Sequence, residues 1–418
     1  MIFIEALEMT NRLLNDIIFM LENRAKSTYF TRNAVMNFKD LIMFSINMVK
    51  KSLQLELDDF FKLKGGDVNI RKQSYSEARL KILPEAFMKL FYHIVEGFYK
   101  NDNYKKYRGY RLSAIDGTKL EINNSEVLRN AFGFDENSTT KVARAMASVI
   151  YDIENDKMIA ATIRHNKTGE REIAIELIEK IKEFGLKNDL ILFDRGYPST
   201  DLISYLEELG IKYLMRVSTG FLKVIVETEG EDQDVEIIDK NGNKIKVRVA
   251  RFMLNSGVEE ILITNLSRDE FVVEDLKVLY FKRWGIEVKY NEIKNKLEIE
   301  DFTGNNPIAV KQDFYAAMYL INMVSLAKAE ANEVIQTKNE EKVLKHEQKV
   351  NTNILIGKLK NSFVAMMLEE NPTKRSKMYF EIMNEVYRNV VPIRPSRSGP
   401  RKKGLKSNKY PLNRKKGL

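Results

Sequence analysis

The stretch LILFDRGYPSTDLISYLEELGIKYLMRV, Leu190 to Val217, decides the fold. It opens on an apolar run of strand length that stops at Asp194, and RGYPST, with Gly196 and Pro198, reads as the turn after it. A helix follows to about Leu209 with Gly210 as its stop. IKYLMRV is then a second apolar strand. Strand, turn, helix and strand in one short segment form the repeating unit of an α/β sheet covered by helices.

The alternation extends upstream, where RLSAID, Arg111–Asp116, is another strand-like run that stops at an aspartate. MASVIYDIEND and KMIAATIRHN read as a two-stranded hairpin, and GEREIAIELIEKIKEF as an amphipathic helix. Residues from about Ser218 to Leu266 differ. There VEIIDKNGNKIKVRVARFML sets Asn241-Gly242 between alternating strands, the strongest local hairpin signal, and the segment reads as an all-β insertion. Before residue 100 the pattern is helical, near Asn37–Lys51, Leu53–Leu63, Ser74–Ile82 and, after Pro84, Glu85–Phe98. These helices fit a helix-turn-helix-like module or a plain helical bundle. A helix at about Asp275–Lys296 and helical stretches at Ala309–Ala331 and Val343–Glu369 complete the pattern.

A chain of 418 residues with 44% hydrophobic content holds a sizeable core and two to four domains. No apolar run approaches the ~20 residues that span a bilayer. The N-terminus carries Glu5 and Glu8 where a signal peptide would be basic and then apolar, so the expected location is cytoplasmic, with no membrane partner. With no cysteine, disulfides, thiolate zinc sites and cysteine nucleophiles are excluded. His93, His165 and His346 lie far apart, so any metal is held by oxygen. The net charge of +9 is unevenly placed: residues 388–418 hold eleven Lys or Arg and no Asp or Glu. The remainder, with 57 basic against 59 acidic residues, carries −2. The basic tail, including Arg401, Lys402 and Lys403, also holds four of the eight prolines and reads as a segment for DNA phosphates.

The helix YFKRWGIEVKYNEIK, Tyr280–Lys294, brings charged residues onto one stripe. At about 100° per residue, Arg283, Glu287 and Lys294 fall within roughly 60° of Tyr280. Alone, such a stripe is a solvated face of i,i+4 ion pairs worth a few tenths of a kcal/mol each. Either Asp116 or Asp194 alone reads as a turn former or helix cap. Together, two aspartates at the carboxyl ends of neighbouring strands converge on one crevice. With Glu287 they make three oxygen ligands for hard divalent cations, Mg²⁺ or Mn²⁺. Two such ions about 4 Å apart stabilise the attacking and leaving oxygens of an in-line phosphoryl transfer. Arg283 and Lys294 would then hold backbone phosphates. Tyr280 either donates to the same backbone or sits as an amphipathic residue at the edge of the core. Trp284 either stacks on a displaced base or packs on a neighbouring element.

These residues resemble the bacterial insertion-sequence transposases of the DDE class marked by Y-x2-R-x3-E-x6-K. Tyr280, Arg283, Glu287 and Lys294 match that signature without a gap, DGT at Asp116–Thr118 is similar to its first acidic motif, and DRGYPS at Asp194–Ser199 to its second. QDFYAAMYLINM and RKQSYSEARLKI are also of the family's type. The resemblance implies a ribonuclease-H-like catalytic core interrupted by a β-strand insertion, with helical N-terminal and C-terminal regions. It further implies Asp116, Asp194 and Glu287 as catalytic and metal-holding residues with two ions per active site. The partners implied are double-stranded DNA, as terminal inverted repeats and target, and a second copy of the chain as a homodimer on DNA. Cleavage at the repeats, hairpin formation at the excised ends and joining by a 3′-hydroxyl would follow.

The expected organisation is a helical DNA-binding region over 1–105, the core over 106–217 and 273–335, the insertion over 218–272, a helical region over 336–387 and the tail over 388–418. A metal-dependent nuclease on the same core and a catalytically silent DNA-binding derivative are the rival readings.

Overall fold

Arg111–Glu121 alternates little and is buried on both faces as far as Ile115, the pattern of a central strand. The computed structural model, which describes residues 2–47, 52–66, 70–185, 188–254, 257–340 and 344–394, builds a sheet around it. The chain divides into two compact units, residues 1–83 with 323–418, and residues 84–322.

The first unit begins with α1 (Phe3–Asn15), α2 (Ile17–Asn23), α3 (Phe38–Ser45), α4 (Leu53–Leu63) and α5 (Lys72–Arg79). Asn37 caps α3, accepting from the Asp40 N–H while Asp40 accepts in return.

The second unit opens with α6 (Pro84–Tyr99), which belongs with the sheet although its sequence had placed it with the N-terminal helices. Then come β1 (Arg111–Glu121), α7 (Glu126–Phe132), β2 (Phe134–Glu136), β3 (Lys141–Asp152), β4 (Lys157–His165), α8 (Glu170–Glu183), β5 (Asp189–Phe193), α9 (Thr200–Glu208) and β6 (Lys212–Arg216). Ser199 caps α9 by accepting from the Leu202 N–H, and Gly210 leaves that helix at φ 66°. A short α10 (Lys223–Val226), β7 (Asp232–Ile238), β8 (Lys244–Met253), β9 (Glu259–Thr264), α11 (Val273–Lys282), α12 (Trp284–Asn295) and the start of the long α13 (Pro307–Asn339), whose residues from 323 on belong to the first unit, follow. The rest of the first unit is β10 (Gln348–Val350), α14 (Thr352–Leu368), α15 (Pro372–Tyr387) and β11 (Val390–Pro392). In that unit α14 packs on α3 and α4, and the Phe3 ring stacks on Tyr379 at 4.6 Å.

Among the described residues the sheet runs β2-β3-β1-β5-β6-β9-β8-β7, with β4 paired to β3. The series β4-β3-β1 is antiparallel and β1-β5-β6 parallel, which is the ribonuclease-H-like order. α6 and α8 pack on β4, and α12 on β1.

Four details depart from the sequence reading. β1 does not stop at Asp116: its ladder with β3 continues to Glu121, carried by backbone bonds that the polar residues do not interrupt. The β-strand insertion is continuous with the core, because β9 pairs with β6. Asn241-Gly242 lies in a five-residue loop, Asp239–Asn243, in which Asp239 accepts from the N–H groups of Asn241 and Asn243, so the side chain closes a longer connection than a two-residue turn. Finally, Gln348–Val350, expected as helix, is a strand held by β11.

Candidate active site

β1 and β5 run parallel and pair from Arg111 with Asp189 to Ala114 with Leu192. Two residues further along each strand stand Asp116 and Asp194. Parallel strands in this register bring the two aspartates level at the point where the ladder ends. The Gly117 N–H donates to Asp116 Oδ1 (3.0 Å), and the Arg195 N–H to Asp194 Oδ1 (2.7 Å). Ser148 Oγ (3.0 Å) and the Tyr290 hydroxyl (2.7 Å) both donate to the Asp116 carbonyl, which ties β3 and α12 to this point of β1.

The signature helix is two helices. At Arg283 the Arg283 N–H donates to the Tyr280 carbonyl and the Ile286 N–H to the Arg283 carbonyl, a tightened i,i+3 turn that separates α11 from α12. Arg283 itself keeps helical dihedrals, and Gly285, two residues on, is the weak helix former nearest the break. The tightening turns Tyr280 and Arg283 inward, 7% and 5% exposed, where an unbroken wheel had them along an open edge. Tyr280 donates to Asp194 Oδ1 at 3.4 Å, and Arg283 Nη2 to Glu287 Oε1 at 3.1 Å. The guanidinium lies within electrostatic reach of Asp194, Asp116 and Glu287 together. Its Nε is buried with no hydrogen-bond partner among the described residues.

Burial pushes the Asp116 carboxyl up to about 6; Arg283 and the Gly117 N–H oppose this, while Glu170 and Asp194 add to it. Lys294 is bonded to the protein: its Nζ donates to Thr118 Oγ1 (2.8 Å) and the Lys119 carbonyl (2.9 Å), fastening α12 to the far end of β1. Lys282 with Glu154 (2.8 Å) and the buried Lys289 with Asp156 (2.7 Å) fix the same pair of helices to the β3–β4 hairpin. Trp284 is 44% exposed, and its ring lies 5.9 Å from the Arg283 guanidinium. Arg401, Lys402 and Lys403 lie outside the described residues.

One neighbour was missed in the sequence. Glu170, the first residue of α8, sets its carboxylate against the backbone of Gly117 and Gly196, where an added methyl would meet Oε1 or Oε2 at 3.2 Å. Burial and the Asp194 charge raise its carboxyl. The available signal was a glycine close behind each aspartate, in DGT and DRG.

Among the described residues no three acidic or imidazole side chains are drawn close enough together to hold an ion as they stand. Arg283 supplies the balancing charge instead. The donors nevertheless suit a hard cation, being carboxylates from three separate elements. The Tyr197 hydroxyl is buried beside Asp116, Glu170 and Asp194, and among the described residues it has only a poorly aligned contact with Ser148.

Residues 107–323, more than half of the chain, match the family of the transposase DDE domain. The chain belongs to this family. The match runs from just before β1 into α13 and encloses every carboxylate described above. Members of the family work with divalent metal ions. A protein named putative transposase y4zB, from Sinorhizobium fredii, is 26% identical over 198 residues, 43% of this chain and 52% of that protein. The transposase InsG for insertion sequence element IS4, from Escherichia coli, is 22% identical over 278 residues, 63% of this chain and 62% of that protein. The chain therefore matches between about half and three-fifths of the length of these relatives. A piggyBac transposase solved as a synaptic complex with hairpin DNA aligns over 91% of this chain and 82% of its own, with 12% identity and a TM-score of 0.48.

Proposed function

We propose that this chain is a DNA transposase that cuts at the terminal inverted repeats of an insertion sequence and joins the ends to target DNA. The observation that carries the reading is the register of β1 and β5, which sets Asp116 level with Asp194 while Arg283 links both electrostatically to Glu287. Asp116, Asp194 and Glu287 are the residues that hold divalent cations, Mg²⁺ or Mn²⁺, two per site. Bound there, the ions supply Lewis-acid stabilisation of an in-line phosphoryl transfer.

The chain's own groups position the DNA. Arg283 turns its guanidinium, bonded to Glu287 as it stands, towards a phosphate oxygen, and Lys294, two turns after Glu287, holds a second phosphate at the cost of its bond to Thr118. Tyr280 steadies Asp194. Double-stranded DNA is the partner, handled by two copies of the chain at the nucleoid of a bacterial cytoplasm.

The test is a supercoiled plasmid carrying the element's ends, incubated with the protein and Mg²⁺. Joined products are expected from the wild type. Asp116→Asn, Asp194→Asn and Glu287→Gln should each lower cleavage by several orders of magnitude while binding the ends as before, because an amide keeps the shape and loses the charge. Cut but never joined DNA would make the protein a nuclease; bound, intact DNA would make it a silent binder. Near wild-type cleavage by Asp194→Asn would overturn the site.

A further inference from the structure

Glu170 is a half-buried carboxylate without a cation. Among the described residues it makes no ion pair and no hydrogen bond, although Arg171 beside it donates to the Gly196 carbonyl at 3.2 Å. Its position is narrowly set. One oxygen faces Gly117, the residue after Asp116, and the other faces Gly196, two residues after Asp194. Neither glycine has positive φ, so neither is required by the backbone, and each leaves room for this carboxylate where any other residue would put a methyl at 3.2 Å. The second observation is Tyr197. Tyr197 is 1% exposed and its hydroxyl lies beside the same three acids; among the described residues its contact with Ser148 is poorly aligned, which leaves a buried donor under-satisfied.

We propose that Glu170 is a fourth carboxylate of the site, placing an oxygen on the divalent cation held by Asp116 and Asp194, with Tyr197 donating a hydrogen bond to the oxygen so engaged. The inference rests on Asp116 and Asp194 being ion-holding residues. A hard cation takes six or more oxygens, and a fourth acid, carried on a fourth element, adds one beside Gly117 and Gly196. Drawing Glu170 towards the ion also removes it from two like charges that repel it in the free chain. The competing explanation is that an acid at the first turn of α8 serves only the helix dipole.

The two explanations separate in a titration of the full chain with Mn²⁺ in the absence of DNA, following free Mn²⁺ by its paramagnetic resonance signal. Glu170→Gln should weaken Mn²⁺ binding about tenfold or more. It should melt at or above the wild-type temperature in chelator, since a repelled charge has been removed. Gly117→Ala retains all four acids but displaces the Glu170 carboxylate, and should weaken Mn²⁺ binding as well. A dipole role predicts the reverse: a lower melting temperature for Glu170→Gln with unchanged Mn²⁺ affinity. Wild-type affinity in Glu170→Gln together with lost binding in Asp194→Asn would overturn the inference and leave the aspartate pair standing. Wild-type affinity in Asp194→Asn would overturn both.

Discussion

Arg283 faces all three proposed catalytic carboxylates. A buried guanidinium among acids balances their charge while the ion is absent, and its planar fork is suited to a phosphate when DNA arrives. Arg283→Ala should therefore act twice. In metal-free buffer it leaves the acids uncompensated, at a cost of roughly 1–3 kcal/mol once the partial exposure of Glu287 is discounted. Added Mg²⁺ should recover part of that loss in a thermal melt. On DNA, Arg283→Ala and Lys294→Ala should both weaken the complex with cleaved ends and slow the reaction with no change in sequence preference, since contacts to phosphate position and do not read bases. A change in the preferred base pairs, measured by competition among variant ends, would speak against phosphate contacts. Residues of this kind were legible in the sequence because their spacing is distinctive. Glu170 was not, since a glutamate at the start of a helix is ordinary and its neighbours are close only in space.

Four elements are pinned together behind the site by a buried cluster. Arg111 of β1 pairs with Asp189 of β5 at 2.5 Å and lies over the Tyr99 ring of α6, whose hydroxyl donates to Asp152 of β3 at 2.5 Å. One guanidinium thus serves two buried carboxylates. Burial pushes Asp152 up to about 6 against the bonds from Tyr99 and Asn155 and the charge of Arg111. A carboxyl with a higher pKa folded than unfolded binds more protons in the native state, so its contribution to stability is present below about 4 and is lost as pH rises through about 6. The loss is on the order of 3 kcal/mol at most. Asp152→Asn should remove it: between pH 4 and 6.5 the wild-type stability should decline relative to the variant, in denaturant titrations at several pH values. Parallel pH profiles would refute the assignment. The strands that meet here were readable as apolar runs. The continuation of β1 past Asp116 was not, because a ladder is made by backbone groups, and Lys119 and Glu121 look like loop. The break between α11 and α12 carried one local signal, the weak helix former Gly285, but an isolated glycine is tolerated inside a helical pattern and the spacing from Tyr280 to Lys294 reads as unbroken.

For the molecule as a whole, charge is divided by position along the chain. β11 ends at Pro392, and the Ile393 N–H donates to the Glu347 carbonyl, so a cut after Tyr387 would unpair β10. The cut that tests the basic segment belongs after Arg394. It removes nine of the eleven basic residues, all in the stretch outside the described residues. If four of them meet phosphate, the slope of log affinity against log salt should flatten by about 3.6. Equal slopes for the full and shortened chains would place the DNA contacts elsewhere. Helical and strand regions could be read at this scale from periodicity, but the joining of β9 to β6 is a long-range pairing that no local pattern encodes.

The distribution of the acids along the chain also sets when the site can exist. Asp116 and Asp194 meet once β5 has joined β1, early in synthesis. Glu287 arrives only after the whole sheet, on a helix that must find the β3–β4 hairpin before Lys282 and Lys289 can lock. Closing so long a span is slow compared with pairing neighbouring strands. A ribosome-bound chain therefore carries the aspartate pair for an interval without Glu287, and under the proposed function it should be unable to cut DNA until nearly all of its second unit has emerged.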